Sequence, residues 1–310
     1  MPEKGSDGGR GWWRAAGLML LTGMLSVVNP GILVAVPLAL LNLFRRPFKG
    51  MALLVALVVM FTVLGGAATS GLWYAERGWA FLLGGWFLAL TLRWPRESFL
   101  TRGLGAVAGT FAATGLLFWV RPGQWAILDW AITSRMKEGM ALAIQALRGT
   151  MGPEAVSVGF ESRALEAMAF QGVVFPALLG LASLTGLATA WWLHLRLIKS
   201  REVGIEPVKE FRFNDQLVWV LILGFLLLLG SSGLLTRLGT NTVVFMGALY
   251  ALRGVGVLLF LTGGPSLFGG ALLLLGFVFV APLLIVGAFV IGLGDTWLNL
   301  RARRGATPSS

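Results

Sequence analysis

The sequence predicts an all-α fold, a polytopic transmembrane helical bundle with eight to ten membrane segments. Of its 310 residues, 56% are hydrophobic and only 13% are charged, and the mean hydropathy is +0.80. A soluble domain carries about 25% charged residues, so this chain has too few to cover a soluble surface. Several apolar runs approach the ~20 residues that a helix needs to cross a bilayer. Most of the outer face is therefore expected to contact lipid.

The composition also excludes several kinds of site. The chain contains one His and no Cys, which argues against zinc, iron–sulfur, haem and thiol chemistry. Ser, His and acidic residues form neither a nucleophile-elbow motif nor a metalloprotease motif. We therefore expect no enzyme activity, no metal and no cofactor.

The basic residues indicate an orientation in the membrane. The net charge is +11, and the basic residues lie between apolar runs. This pattern is typical of loops that face cytoplasm and anionic lipid, so nucleic acid is not an expected partner. Most Lys and Arg fall in the two termini and in 45–49, 93–102 and 194–216. These parts are predicted to be cytoplasmic, with the chain in a bacterial inner membrane.

This orientation depends on two interrupted apolar stretches. In 15–44 the run is broken by Asn29, Pro30 and Gly31, which predicts either a kink or two short helices joined by a turn. In 267–300 the break is at Pro282. Both stretches are expected to be broken or short helices, and the positive-inside rule favours hairpins. If 267–294 is instead one kinked helix, the basic tail lies on the opposite side.

The remaining spans are separated by short polar connectors. Residues 50–72 form an uninterrupted apolar span, 73–79 read as a polar connector, and 79–92 are a short apolar run. Within the next span, the GAVAG sequence at 105–109 is a small-xxx-small pattern suited to close helix contact. The predicted parts are a polar tail (1–14), an N-terminal membrane bundle (15–120), a non-spanning segment (121–166), a C-terminal membrane bundle (167–300) and a basic tail (301–310).

The non-spanning segment contains a predicted amphipathic helix at 124–148. Apolar side chains recur every three or four residues, with most charged residues between them, so the helix should lie on the membrane or cap the bundle. A second piece, 154–166, is expected to lead into the next span. The apolar stripe is formed by Trp125, Leu128, Ile132, Met136, Met140, Ile144 and Leu147.

The most unusual residue is Arg253, near the middle of the apolar span 241–262. A guanidinium cannot be deprotonated, so it should face the bundle interior, a water-filled cavity or a partner. The functional interpretation is a partner for a small anionic ligand. The structural alternatives are a snorkelling side chain or a pair with a carbonyl or acid. Neighbouring Gly254 and Gly256 permit close packing or a local break.

Three further residues are candidate binding groups, each with a structural alternative. Asp295 could pair with Arg253 or Arg301, or it could cap a helix. Asn29 could belong to a midplane site at a broken helix, or to an ordinary turn. Asn241 precedes a span, as Asp215 does, so capping is the default expectation for both. The lone histidine, His194, is expected at the interface.

The C-terminal third carries an ordered set of motifs. They are EFRFNDQLVW (210–219), LGTN (238–241), LYALRGVGVLLF (249–260) and GLGDTWLNLRAR (292–303). With the basic turn RRPFK after the first apolar stretch, they resemble the YybS family of bacterial polytopic membrane proteins. The N-terminal half of that family is similar to the S components of energy-coupling-factor vitamin transporters. The resemblance implies a membrane-embedded, small-molecule-binding role.

The leading expectation is thus a transport-type integral membrane protein, an S-component-like binding unit. The alternative is a scaffold or assembly subunit of a larger membrane complex, which would make other membrane-protein subunits partners beside the lipid bilayer. A lipid-acting enzyme that uses Arg253 and Asp295 on a phosphate headgroup is the weakest alternative.

Overall fold

The computed structural model describes residues 29–44, 71–151, 158–198, 204–230, 233–263 and 267–305. These ranges are almost entirely helical and contain no strand, which confirms the all-α prediction. Two short 3-10 turns, Val208–Glu210 and Asp215–Leu217, precede the sixth helix. The helices are α1 (Pro30–Phe44), α2 (Gly71–Arg93), α3 (Phe99–Val120), α4 (Gly123–Met151), α5 (Val158–Leu197), α6 (Val218–Leu228), α7 (Gly233–Thr262), α8 (Leu267–Leu298) and α9 (Leu300–Gly305).

Three of the described helices are long and apolar enough to cross a membrane. They are α3, the Ser162–Leu197 part of α5, and α7, while α1 and the Pro282–Leu298 part of α8 are shorter apolar helices. Large hydrophobic side chains are exposed on several of them, including Trp119 of α3. In water such surface would be unfavourable, whereas lipid solvates it.

The helices form two compact units, α1–α5 within 16–205 and α6–α9 within 206–310. In the first unit, α1 packs against α2 and α5, and α2 also packs against α3. Its buried core includes Leu33, Leu83, Phe87, Leu187 and Trp191.

Small residues set the spacing of α2 and α3, as the GAVAG pattern predicted. A Cβ placed on Gly109 would lie 2.8 Å from the Trp86 ring, and one on Gly105 would lie 3.0 Å from the Leu90 side chain. A larger residue at either position would push these two helices apart. The predicted close contact is confirmed.

The amphipathic helix is also confirmed, as α4. Ile132, Met136 and Met140 are buried, and the flanking residues of the predicted stripe are half-buried. Lys137 and Glu138 are exposed on the other face. The stripe therefore directs α4 against α2, α3 and α5.

Two segments differ from the sequence expectation. The predicted polar connector 73–79 is helical and forms the first turns of α2.

In α8 the predicted break is present, because Val280 leaves helical geometry two residues before Pro282. Proline removes one hydrogen bond and clashes with a preceding carbonyl, which bends a helix without inserting a loop. The segment is thus a kinked helix, not the favoured hairpin. The predicted cytoplasmic position of the basic tail depended on that hairpin, so the structure does not support it and it stays a prediction from charge alone.

Several predictions lie outside the described residues. They are the tail 1–14, the first half of the 15–44 stretch, the basic turn 45–49, nearly all of the span 50–72 and the first residues of the piece 154–166.

The second unit is organised by close backbone contact between α7 and α8. A Cβ on Gly254 would lie 1.8 Å from the carbonyl oxygen of Ala288, and one on Gly292 would lie 1.9 Å from that of Tyr250. Both distances are far below any real contact, so each position requires glycine. Of the two alternatives for Gly254, close packing and a local break, the structure shows close packing.

Gly254→Ala should therefore destabilise the protein by about 1–3 kcal/mol or more, because the added methyl group separates two packed backbones. Gly247, seven residues earlier in α7, has open space at its Cβ. Gly247→Ala should be neutral or stabilise by ~0.4–1 kcal/mol. Unfolding midpoints of both variants in lipid nanodiscs measure the difference, and equal midpoints would contradict the packing.

Candidate functional site

Arg253 lies in the C-terminal third of α7 and is only 1% exposed. Its Nε donates to Asp295 Oδ2 at 3.0 Å, and its NH1 donates to Asp215 Oδ1 at 2.6 Å. The Phe213 ring lies beneath the guanidinium, with its centroid 5.5 Å from Cζ. The structure thus places Asp295 against Arg253, one of the pairings that the sequence suggested.

The backbone contact between α7 and α8 explains how a short acid can reach this arginine. Gly254 follows Arg253 directly, and Gly292 is three residues before Asp295, about one helical turn away. Because the two backbones touch at these glycines, neighbouring side chains face each other across a narrow gap. The carboxylate of Asp295 is fully buried there.

Arg301 connects the same carboxylate to the segment before α6. Its NH2 lies 3.8 Å from Asp295 Oδ2, and its guanidinium donates to the carbonyl oxygens of Lys209 and Phe211 at 3.2 and 3.0 Å. Asp295 Oδ1 accepts the backbone N–H of Leu300 at 3.1 Å, which fixes the start of α9. The predicted Asp295–Arg301 pairing and a capping contact are therefore both present.

The cluster of Arg253, Arg301, Asp215 and Asp295, here called the charge cluster, is balanced in charge. Burial lowers the pKa of Arg301, and the nearby Asp295 carboxylate opposes that shift. An arginine nevertheless stays protonated, so the cluster holds two cations and two anions. Each buried charge of the cluster is paired with an opposite charge or a hydrogen-bonding group of the protein, because an unpaired charge out of water is strongly unfavourable.

Sequence reasoning missed Asp215 as a partner of Arg253. It was expected to cap a helix, but Asn214 does so by accepting the N–H of Gln216 at 3.0 Å. This leaves the Asp215 carboxylate free to reach Arg253. Since 38 residues separate the two, only the fold brings them together.

Asn241 is not brought to the charge cluster. It was expected before a helix, but α7 begins at Gly233, and Asn241 lies inside it with Nδ2 donating to the Arg237 carbonyl at 2.8 Å. Twelve residues separate it from Arg253, about 18 Å along the helix. The capping expectation for Asn241 was wrong.

Asn29 lies at the start of α1, where Pro30 occupies the first helical position. Its Oδ1 accepts the N–H of Gly31 at 3.0 Å, the geometry of an ordinary cap. Its own N–H donates to the Glu76 carboxylate of α2. Glu76 also lies 3.7 Å from the Arg77 guanidinium. Asn29 thus fixes an acid in the first unit.

Glu76 lines a cavity of about 660 Å³ among α1–α5. Its walls are the first turns of α2, the end of α3, the start of α4, Leu33 of α1, and Phe175 and Leu179 of α5. Most of the lining is apolar or aromatic. The polar residues Thr114, Arg121 and Gln124 lie beside the end of α3 and the start of α4. The volume and lining resemble those of small-molecule sites, which are apolar with a few placed polar groups.

Arg121 and Glu76 are the two charged residues that line this cavity, and only Glu76 is paired with other residues in the described ranges. Arg121 follows α3 directly and is exposed, and its guanidinium has no hydrogen-bond or ion-pair partner among the described residues. Sequence reasoning missed the cavity and this residue. The only available signals were the polar residues at 73–79 and the amphipathic character of α4, and neither shows that five helices surround a space.

A second polar group is buried in the first unit. His194 is fully buried, its Nδ1 lies 2.7 Å from Asn42 Oδ1, and its ring stacks on Trp191. The Arg102 guanidinium lies 4.7 Å from the Trp191 ring centroid. His194 is thus enclosed by the first unit, and its expected position at the membrane interface stays a prediction. Among the described residues, no cluster of three His, Cys, Asp or Glu could hold a metal ion.

The chain belongs to a family described as "Predicted membrane protein (DUF2232)", whose model matches residues 15–296. No curated protein and no solved structure matches it. The match and the long apolar helices together show an integral membrane protein. The YybS resemblance and the similarity to energy-coupling-factor components remain predictions.

The two aspartates of the charge cluster should differ in their effect on stability. Asp295→Asn removes a fully buried partner of two arginines and is expected to cost about 3–5 kcal/mol. Asp215→Asn removes a carboxylate that is 61% exposed and should cost about 1 kcal/mol or less. Denaturation in mild detergent measures both. A larger loss for Asp215→Asn would contradict the assigned order.

Proposed function

We propose that this integral membrane protein is of transport type and binds a small molecule in the cavity of α1–α5, within the cytoplasmic membrane of a bacterium. The supporting observation is the cavity itself, whose volume of about 660 Å³ and mainly apolar lining suit a small ligand. Tyr74, Trp79 and Phe175 offer aromatic faces, and Arg121 and Gln124 offer hydrogen-bond donors that can orient a bound molecule.

The charge cluster suits ligand binding less well than the cavity does. Its central guanidinium, Arg253, is buried and already donates to two carboxylates. An incoming anion would have to displace Asp215 or Asp295 and leave that carboxylate without its partner. We therefore assign Arg253 and Asp295 a structural role in this proposal, and we place the ligand in the first unit.

The position of the cavity within its unit supports a one-sided binding site. The beginning of α2, the end of α3 and the beginning of α4 all contribute walls, so the cavity lies at one end of the helices. The charge distribution assigns 73–78 and 121–166 to the non-cytoplasmic side. In this proposal the protein takes up its ligand from outside the cytoplasm or from the outer part of the bilayer.

A residue that fills the cavity tests the proposal. Gly78 lines the cavity, and a Cβ there would meet no atom within 4 Å, so Gly78→Phe adds a bulky ring without a backbone clash. The probe is a neutral single-chain alcohol that carries a diazirine, photolysed with the full-length protein in phosphatidylcholine nanodiscs. Mass spectrometry should locate the label in 71–82 and 114–132. Gly78→Phe should weaken labelling about tenfold, the equivalent of ~1.4 kcal/mol.

Gly85→Phe is the matched control. Gly85 lies seven residues later in α2 and also has open space at its Cβ, but it does not line the cavity. This variant should label like the native protein. Labels spread evenly over lipid-facing helices, or equal labelling of both variants, would overturn the proposal. A partner protein that co-purifies in constant ratio, combined with no cavity labelling, would favour the scaffold alternative.

A further inference from the structure

We propose that the ligand of this cavity is a single-chain anionic amphiphile, whose carboxylate or phosphate binds Arg121 while its chain lies against the apolar wall. This inference rests on the proposed function, because it identifies what the same cavity binds. It follows from the charge inside the cavity, the exposure of part of its apolar wall and its volume.

The uncompensated charge in the cavity is positive. Glu76 is held by the Asn29 N–H and by Arg77, so its charge is already met within the protein. Arg121 has no such partner among the described residues. A guanidinium binds carboxylate and phosphate groups through paired N–H donors, which makes it the natural partner of an anionic head.

The surroundings of Arg121 also favour an anionic ligand. Arg121 lies two residues before α4, a helix of 29 residues, and Gln124 also lines the cavity. The N-terminal end of a helix carries a partial positive charge, which also stabilises an anion. This charge adds to that of the guanidinium, which is the main binding group.

Part of the apolar wall of the cavity is exposed at the surface of the unit, where lipid is expected. Leu117, Ile127 and Trp130 line the cavity and are also 54%, 60% and 72% exposed. A hydrocarbon chain can contact these exposed apolar side chains from the bilayer. A ligand can therefore enter from the bilayer, with its charged head at the helix ends.

The volume of the cavity limits the ligand to a molecule with one alkyl chain. At ~30 Å³ for each water-sized group, 660 Å³ holds about 20 non-hydrogen atoms. This matches one alkyl chain with a small head, and a two-chain phospholipid is too large to be enclosed.

Competition against the diazirine alcohol tests the inference, in nanodiscs of zwitterionic phosphatidylcholine. The competitors are dodecanoate, dodecyl phosphate, dodecanol and dodecyltrimethylammonium. The two anions should displace the probe at concentrations about tenfold lower than dodecanol, and the ammonium compound should be weakest. If dodecanoate displaces the probe at lower concentration than dodecyl phosphate does, the preferred head group is a carboxylate. The reverse order would identify a phosphate.

Arg121→Gln should abolish the advantage of the anions and leave competition by dodecanol unchanged. Retained labelling by the neutral probe shows that the variant is folded, and Arg121→Lys should recover part of the preference. Lys137→Gln is the matched control, since it removes an exposed cation from the outer face of α4.

The outcomes separate this inference from the function on which it rests. If dodecanol and the anions compete equally, or if the ammonium compound competes best, the anionic ligand is wrong while the cavity remains a binding site. An unchanged anion preference in Arg121→Gln would also overturn it. If no competitor reduces cavity labelling, the proposed function fails as well.

Discussion

The pairing of Arg253 determines how the C-terminal helices pack. A guanidinium buried within an apolar helix keeps its charge, so the fold must supply carboxylates at hydrogen-bond distance. The glycine contacts of α7 and α8 bring Asp295 within 3.0 Å, and the turn before α6 brings Asp215 within 2.6 Å. Arg301 then connects Asp295 to the carbonyls of Lys209 and Phe211, which precede that turn. The glycine contacts, the turn before α6 and the cap of α9 together hold the two carboxylates beside Arg253.

The two ends of the N-terminal unit differ in how they are packed. Asn42, Arg102 and His194 lie near one end of α1, α3 and α5, where they are buried among aromatic rings. The opposite ends of α1 and α3 and the middle of α5 contribute walls to the cavity. One end is thus closed by packed polar and aromatic groups, while the other leaves space beside an exposed cation. Such asymmetry is what one-sided access to a binding site requires.

The sequence was informative where the pattern is local. Hydropathy predicted the helical class, a period of three to four residues predicted the apolar face of α4, and GAVAG predicted a close helix contact of α3, without identifying its partner. It failed where the outcome depends on distant residues. Asp215 reaches an arginine 38 positions away, and His194 is buried by residues of α1. Segment 73–79 looked like a connector, yet Arg77 stacks 3.7 Å from the Trp73 ring within helical geometry. Charge counting could not distinguish a kink from a hairpin at Pro282.

The contrast between two arginines shows why depth in the membrane is an incomplete guide to function. Arg253 is conspicuous in the sequence because a cation in an apolar span is costly. Arg121 is inconspicuous, since basic residues are common where a helix ends. In the structure the first is enclosed by carboxylates, and the second stands at an apolar cavity with no partner among the described residues. An anionic ligand pairs most readily with a cation that the protein has not already paired. The pairing of each arginine, which only the fold reveals, is therefore the reason for proposing Arg121 as the binding residue.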